Sequence, residues 1–111
     1  MTIRQRDIVL VPFPFSDQTG KKVRPVIVVS NNKFNTLSVD IIVCAITTNL
    51  SKEHYTIKIE KENLELGNIK EECCIKIENI LKIDKNLIIK HLDKFKEKDF
   101  TKITSLLKSL F

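Results

Sequence analysis

The sequence predicts a mainly β domain, a small barrel or strongly curled sheet, followed by one C-terminal helix. Three observations predict it. Short apolar runs rich in valine and isoleucine recur along most of the chain, the composition that suits a pleated, buried surface. Turn-forming residues separate them. Only near the C-terminus does the apolar spacing change from strand-like to helical. Short apolar strands of this kind fit a barrel better than a flat layer.

Each element has its own signal. Ile8–Val11 is continuously apolar and reads as a strand buried on both faces. Pro12 and Pro14 are expected to end it, because proline supplies no ladder donor. Ser16–Val23 reads as a loop, marked by Ser16-Asp17 and Thr19-Gly20. The polar stretch between the first two strands carries Lys21, Lys22 and Arg24. Arg24 precedes Pro25, which disfavours helical geometry and holds the guanidinium at the mouth of the next strand. Val26–Val29 is that strand, stopped by Ser30-Asn31-Asn32, and Val39–Ile46 is another, ending at Thr47-Thr48-Asn49. Tyr55–Glu60 alternates, with Tyr55, Ile57 and Ile59 on one face. Leu64–Asn68 is a turn or short helical piece around Gly67. Cys73–Ile80 alternates again, setting Cys73, Ile75 and Ile77 against Cys74, Lys76 and Glu78, whereas Leu87–His91 fits neither period. Phe100, Ile103, Leu106, Leu107 and Leu110 form one helical stripe. Asp99 stands near its start, as a cap or against the helix dipole.

At 111 residues and 42% apolar content, residues 1–111 are expected to form one domain. No apolar run reaches membrane-spanning length and no h-region follows the N-terminal charges. A cytoplasmic protein is therefore expected. The odd cysteine count (Cys44, Cys73, Cys74) fits a reducing compartment. No second cysteine pair lies at zinc spacing, and the Glu60, Glu62, Glu65, Glu71 and Glu72 series reads as a solvated face, so no metal or other cofactor is expected. Net charge is +5. Residues 1–50 hold Arg4, Arg6, Lys21, Lys22, Arg24 and Lys33 against Asp7, Asp17 and Asp40. The remainder is nearly balanced, so the N-terminal half offers a basic face for a polyanion.

The runs Asp7-Ile8-Val9-Leu10-Val11, Pro12-Phe13-Pro14-Phe15-Ser16-Asp17, Lys22-Val23-Arg24-Pro25-Val26-Ile27-Val28-Val29-Ser30 and Ala45-Ile46-Thr47-Thr48 occur in this order. Together they resemble the MazF/PemK-type toxins of type II toxin–antitoxin modules. The match in order and spacing covers residues 6–48, and Ile77-Glu78-Asn79-Ile80 is a looser likeness. The resemblance implies an SH3-like curled β barrel of the MazF/PemK (CcdB-like) type and a homodimer. It implies a sequence-selective, metal-independent endoribonuclease on single-stranded RNA, leaving a cyclic phosphate and a 5′-hydroxyl. It further implies a cognate antitoxin with an acidic, partly disordered tail, and operator DNA bound through the antitoxin complex. Arg24 falls on the family's catalytic arginine and Thr47 on its catalytic threonine. Phe15, Ser16, Asp17, Lys21 and Lys22, with Glu78 and Asn79, fall on segments that contact RNA. Two positions depart from the pattern. Arg6 stands where these toxins usually have glycine, and Leu81 where some carry arginine.

The residues suit such chemistry. Metal-free RNA cleavage uses the adjacent 2′-hydroxyl as nucleophile and needs the phosphorane charge stabilised. An arginine can do so through two parallel hydrogen bonds, and a threonine hydroxyl can donate another. His54 and His91 are far apart in sequence and belong to no motif. No residue is assigned as the general base. The competing function is a non-catalytic or protein-directed module on the same barrel, which binds an antitoxin and operator DNA.

Overall fold

The computed structural model describes residues 2–13, 22–50 and 54–111. Among them six strands form one antiparallel sheet: β1 (Asp7–Phe13), β2 (Lys22–Val28), β3 (Asp40–Thr47), β4 (Thr56–Ile59), β5 (Cys73–Asp84) and β6 (Lys90–Lys94). Their order across the sheet is β4-β5-β3-β2-β1-β6. The segment after β4 reaches the end of β6. Leu64 bridges Phe95, Glu65 N–H donates to Lys94 O at 2.8 Å, and Lys96 N–H donates to Asn63 O at 2.7 Å. These bonds join the two outer strands and curl the sheet into a half-barrel, the fold the sequence predicts.

Period-two alternation builds a core on each face. Ile8, Ile27, Cys44, Ile46, Ile75 and Ile77 pack on one side, against Phe95 and against Phe100 and Ile103 of the C-terminal helix. Val9, Val11, Val26, Val28, Ile41, Val43 and Ile83 pack on the other. β5 changes sides. Cys44 pairs with Ile80 but Ala45 pairs with Lys76, so Ile77, Glu78 and Asn79 have no partner on β3. This bulge of three residues is an odd number, and it reverses which residues face which core. Ile75 and Ile77 lie on the helix side, while Leu81 and Ile83 lie on the opposite side. The bulge is anchored. Ile77 is fully buried, its N–H donates to Tyr55 O at 2.8 Å, and its carbonyl accepts from Cys44 Sγ at 3.6 Å.

Several boundaries differ from the sequence reading. β1 runs through Pro12, which pairs with Val23. β6 accompanies β1 only as far as Leu10, so the prolyl nitrogen removes no bond from that side. β2 begins at Lys22, which places Lys22 and Val23 in a strand rather than in the expected loop, and Arg24 inside that strand rather than at its mouth. β3 pairs with β2 only from Val26, so Pro25 breaks no ladder there. A short helix, α1 (Asn32–Leu37), follows where only a stop was expected. Asn31 caps it, accepting from Phe34 N–H at 2.8 Å. Helix α2 (Glu97–Ser109) carries the expected stripe, with Phe100 and Ile103 buried. Its N-cap is Lys96. Asp99 instead lies in the first turn with Glu97, where a carboxylate favours the dipole, and accepts from Asn63 Nδ2 at 3.1 Å. Gly67 turns the chain at φ 68°. Buried Asp93 holds that turn by accepting from Leu66 N–H and Asn68 N–H, both at 2.9 Å. No helix among the described residues is long and apolar enough to cross a membrane.

Candidate functional site

β2 and β3 part company at their facing ends. The register Val26↔Ala45, carried two residues outward, sets Arg24 opposite Thr47 on the same face. β3 there keeps its pairing with β5, through Thr47↔Cys74 and Ala45↔Lys76, while β2 has let go. The parting opens a cleft of about 320 Å³ that Arg24, Thr47, Lys76 and Asn79 line with Val26, Ala45, Ile46 and Leu81.

The cleft has a polar part and an aliphatic part. Arg24 and Lys76 supply two positive charges, and no carboxylate among the described residues lines it. Such a site favours an anion. Thr47 is half-buried at the end of its strand. Its Oγ1 accepts from Asn49 N–H at 3.1 Å, which fixes the oxygen and leaves the hydroxyl proton to donate. Val26, Ala45, Ile46 and Leu81 form an apolar wall beside these groups.

Other candidates stand elsewhere. Lys22 is exposed at the start of β2, outside the cleft lining. Phe15, Ser16, Asp17 and Lys21 lie outside the described residues. Glu78 is exposed on the β5 bulge, next to Asn79 but not lining the cleft. His54 is exposed on the turn before β4. His91, on β6, places Nε2 3.2 Å from Oδ1 of buried Asp7, which also receives Lys94 Nζ at 3.6 Å. Neither histidine reaches the cleft. Burial, reinforced by nearby Glu78, pushes the Cys44 thiol from its ordinary 9.0 up to about 12. Burial also raises Cys73, helped by Cys74 and Glu71. Both are therefore neutral thiols packed in the core, and among the described residues no group of three potential metal ligands converges. A larger depression of about 510 Å³ lies between Thr2, Thr36 and Asn86, where Lys85 Nζ donates to Asn35 O at 2.7 Å. It shares no residue with the Arg24 cleft.

Sequence reasoning missed Lys76 and the aliphatic wall. The signal for Lys76 was present in the alternation of β5, which puts it across the strand from Ile75 and Ile77. The face it shares with Arg24 follows only from the pairing with Ala45.

Comparison with known proteins agrees with this architecture. The chain aligns over 98% of its length with an endoribonuclease from a mycobacterial species, covering 90% of that chain at TM-score 0.78 and 15% identity. It aligns over 99% of its length with a MazE–MazF crystal structure from Deinococcus radiodurans, covering 96% of that chain at TM-score 0.79 and 14% identity. A mycobacterial endoribonuclease in complex with its cognate antitoxin gives TM-score 0.74 at 15% identity, with 96% and 92% of the two chains covered. At such identities the likeness is one of fold. No protein with a curated description matches the chain in sequence. The family model for PemK-like, MazF-like toxins of type II toxin–antitoxin systems, however, matches residues 4–111, and the chain therefore belongs to that family.

Proposed function

We propose that this protein is a sequence-selective endoribonuclease that cleaves single-stranded RNA without a metal, as the toxin of a type II toxin–antitoxin module. One observation carries the reading. Arg24 and Thr47, far apart in sequence, line one cleft that also holds Lys76.

In the proposed reaction the 2′-oxygen of a nucleotide attacks the adjacent phosphorus as its proton leaves. The bond to the 5′-oxygen breaks, giving a 2′,3′-cyclic phosphate and, after proton uptake, a 5′-hydroxyl. The guanidinium of Arg24 binds the non-bridging oxygens of the phosphorane. Thr47 donates its hydroxyl proton to one of them, its oxygen held by Asn49 N–H. Lys76 adds a second positive charge. Lys22 at the strand entrance draws the RNA backbone toward the cleft, and Phe15, Ser16, Asp17 and Lys21 are assigned to the same strand of RNA by family likeness. The same cationic cleft suits the acidic tail of a cognate antitoxin, whose binding would exclude RNA. A homodimer, operator DNA held through the antitoxin complex and a cytoplasmic location complete the proposal.

The test is incubation of the purified chain with long single-stranded RNA in excess EDTA. Cleavage yielding cyclic-phosphate and 5′-hydroxyl ends is expected, at a rate the chelator leaves unchanged. Intact RNA across varied sequences would favour the antitoxin- and DNA-binding module instead.

A further inference from the structure

Resting on the reading of a toxin with a peptide partner, we propose that the open edge of β2 takes an extended peptide as an added strand, one whose acidic side chains alternate with apolar ones.

The edge follows from the two prolines. Pro12 and Pro25 have no N–H, so the hydrogen-bonded pairs between β1 and β2 are Val9↔Val26, Val11↔Arg24 and Phe13↔Lys22. The alternate residues of β2 direct their backbone groups to the other side. Two bonds agree with this phase: Val29 N–H donates to Ile42 O of β3, and Ile89 N–H donates to Leu10 O on the side of β1 away from β2. Val23 therefore aims its N–H and C=O toward β3. Yet β3 pairs with β2 only from Val26, and no other described strand lies beside β2 there. Unpaired backbone groups along a strand are a template for another strand.

The two faces of the sheet differ at this junction. One carries the cleft with Arg24 and Lys76. The other carries a second cleft of about 320 Å³, among Ile8, Ile46, Ile59, Leu64 and Leu92. Val23, 47% exposed, lines it too. Lys70 and Glu71 on its rim are of opposite sign, so apolar burial decides what it takes. Arg24 and Ile46 line both clefts, which therefore meet where the strands part. Successive side chains of a strand point to opposite faces. A strand added at Val23 thus sends alternate side chains into a cationic cleft and an apolar one, and acidic residues alternating with apolar ones match both. RNA has no alternating N–H and C=O groups with which to pair along the edge, so this mode belongs to a peptide.

The test is binding of short synthetic peptides, read by fluorescence anisotropy. One alternates glutamate with leucine. A second holds the same residues in two blocks. Two more are the alternating peptide methylated at every other amide nitrogen, in either phase. The alternating peptide should bind and should suppress RNA cleavage. The block isomer and one methylated phase should bind about 10-fold more weakly, the loss of one or two net hydrogen bonds. Val23→Pro removes the edge N–H without touching a bond to β1, and should weaken the alternating peptide similarly, with folding checked by thermal unfolding. Equal binding of the two isomers, equal binding of the two methylated phases, or binding that leaves cleavage untouched overturns the added strand. Cleavage without peptide is read separately, and its absence overturns the ribonuclease reading on a measurement that peptide binding does not share.

Discussion

At Arg6 the backbone takes φ 81°, a conformation that glycine adopts freely and that costs other residues roughly 1–2 kcal/mol. The side chain offsets some of the strain, since Arg6 Nη1 donates to Phe95 O at 2.8 Å. Replacing Arg6 by alanine or by glycine removes that bond equally. The glycine variant should then be the more stable by about 1 kcal/mol in urea unfolding, the reverse of the usual order; equal stability would contradict the strain. Cys44 makes a second residue-level prediction. Its pKa is raised in the folded state, so the native protein retains a proton that the unfolded chain loses first. This contribution to stability is complete below about pH 9 and declines as pH rises toward about 12. Cys44→Val should flatten the alkaline loss of stability, and an unchanged profile would refute the assignment. At this scale Arg24 and Thr47 were legible as candidates only through the family resemblance, because an Arg-Pro step and a Thr-Thr pair taken alone read as ordinary strand boundaries. Lys76 was not, since its place depends on the strand it pairs with.

Among the elements, α2 was the most legible. Its stripe needs only local spacing, and the buried positions follow it. Ile103 is fully buried between α2 and the sheet, and Ile103→Ala should cost about 2–5 kcal/mol. Leu106, half-buried on the same stripe, should cost clearly less when shortened. Equal losses in denaturant unfolding would mean that the helix does not dock as described. The strands were legible as apolar runs, but two ends were not. Pro12 and Pro25 look like terminators in one dimension, yet each lies where one neighbouring strand has stopped pairing. The β5 bulge was equally hidden. Two-residue alternation describes Cys73 to Ile77 and then fails, because the three residues opposite no partner reverse the strand. Helix α1 is only six residues long, too short for a periodic signal, and Asn31 reads equally well as a strand stop or a cap.

For the whole molecule, curling of the sheet brings sequence-distant groups together. The bonds from Asn63, Leu64 and Glu65 to the end of β6 join its outer strands. Parting of β2 from β3 inside the sheet then opens the cleft. A barrel-like fold was readable from short apolar strands, whereas a cleft at one strand junction is a property of registers that no single strand encodes. The central claim is that Arg24 and Thr47 act together on one phosphodiester. Single-turnover cleavage of RNA in EDTA by Arg24→Ala, Thr47→Val and the double variant tests it most directly. Removing one preorganised donor should slow cleavage ~10²–10³-fold, and the double variant should fall well short of the product of the single losses, because the two groups serve the same transition state. Wild-type rates in either single variant, or losses that simply multiply, would contradict it.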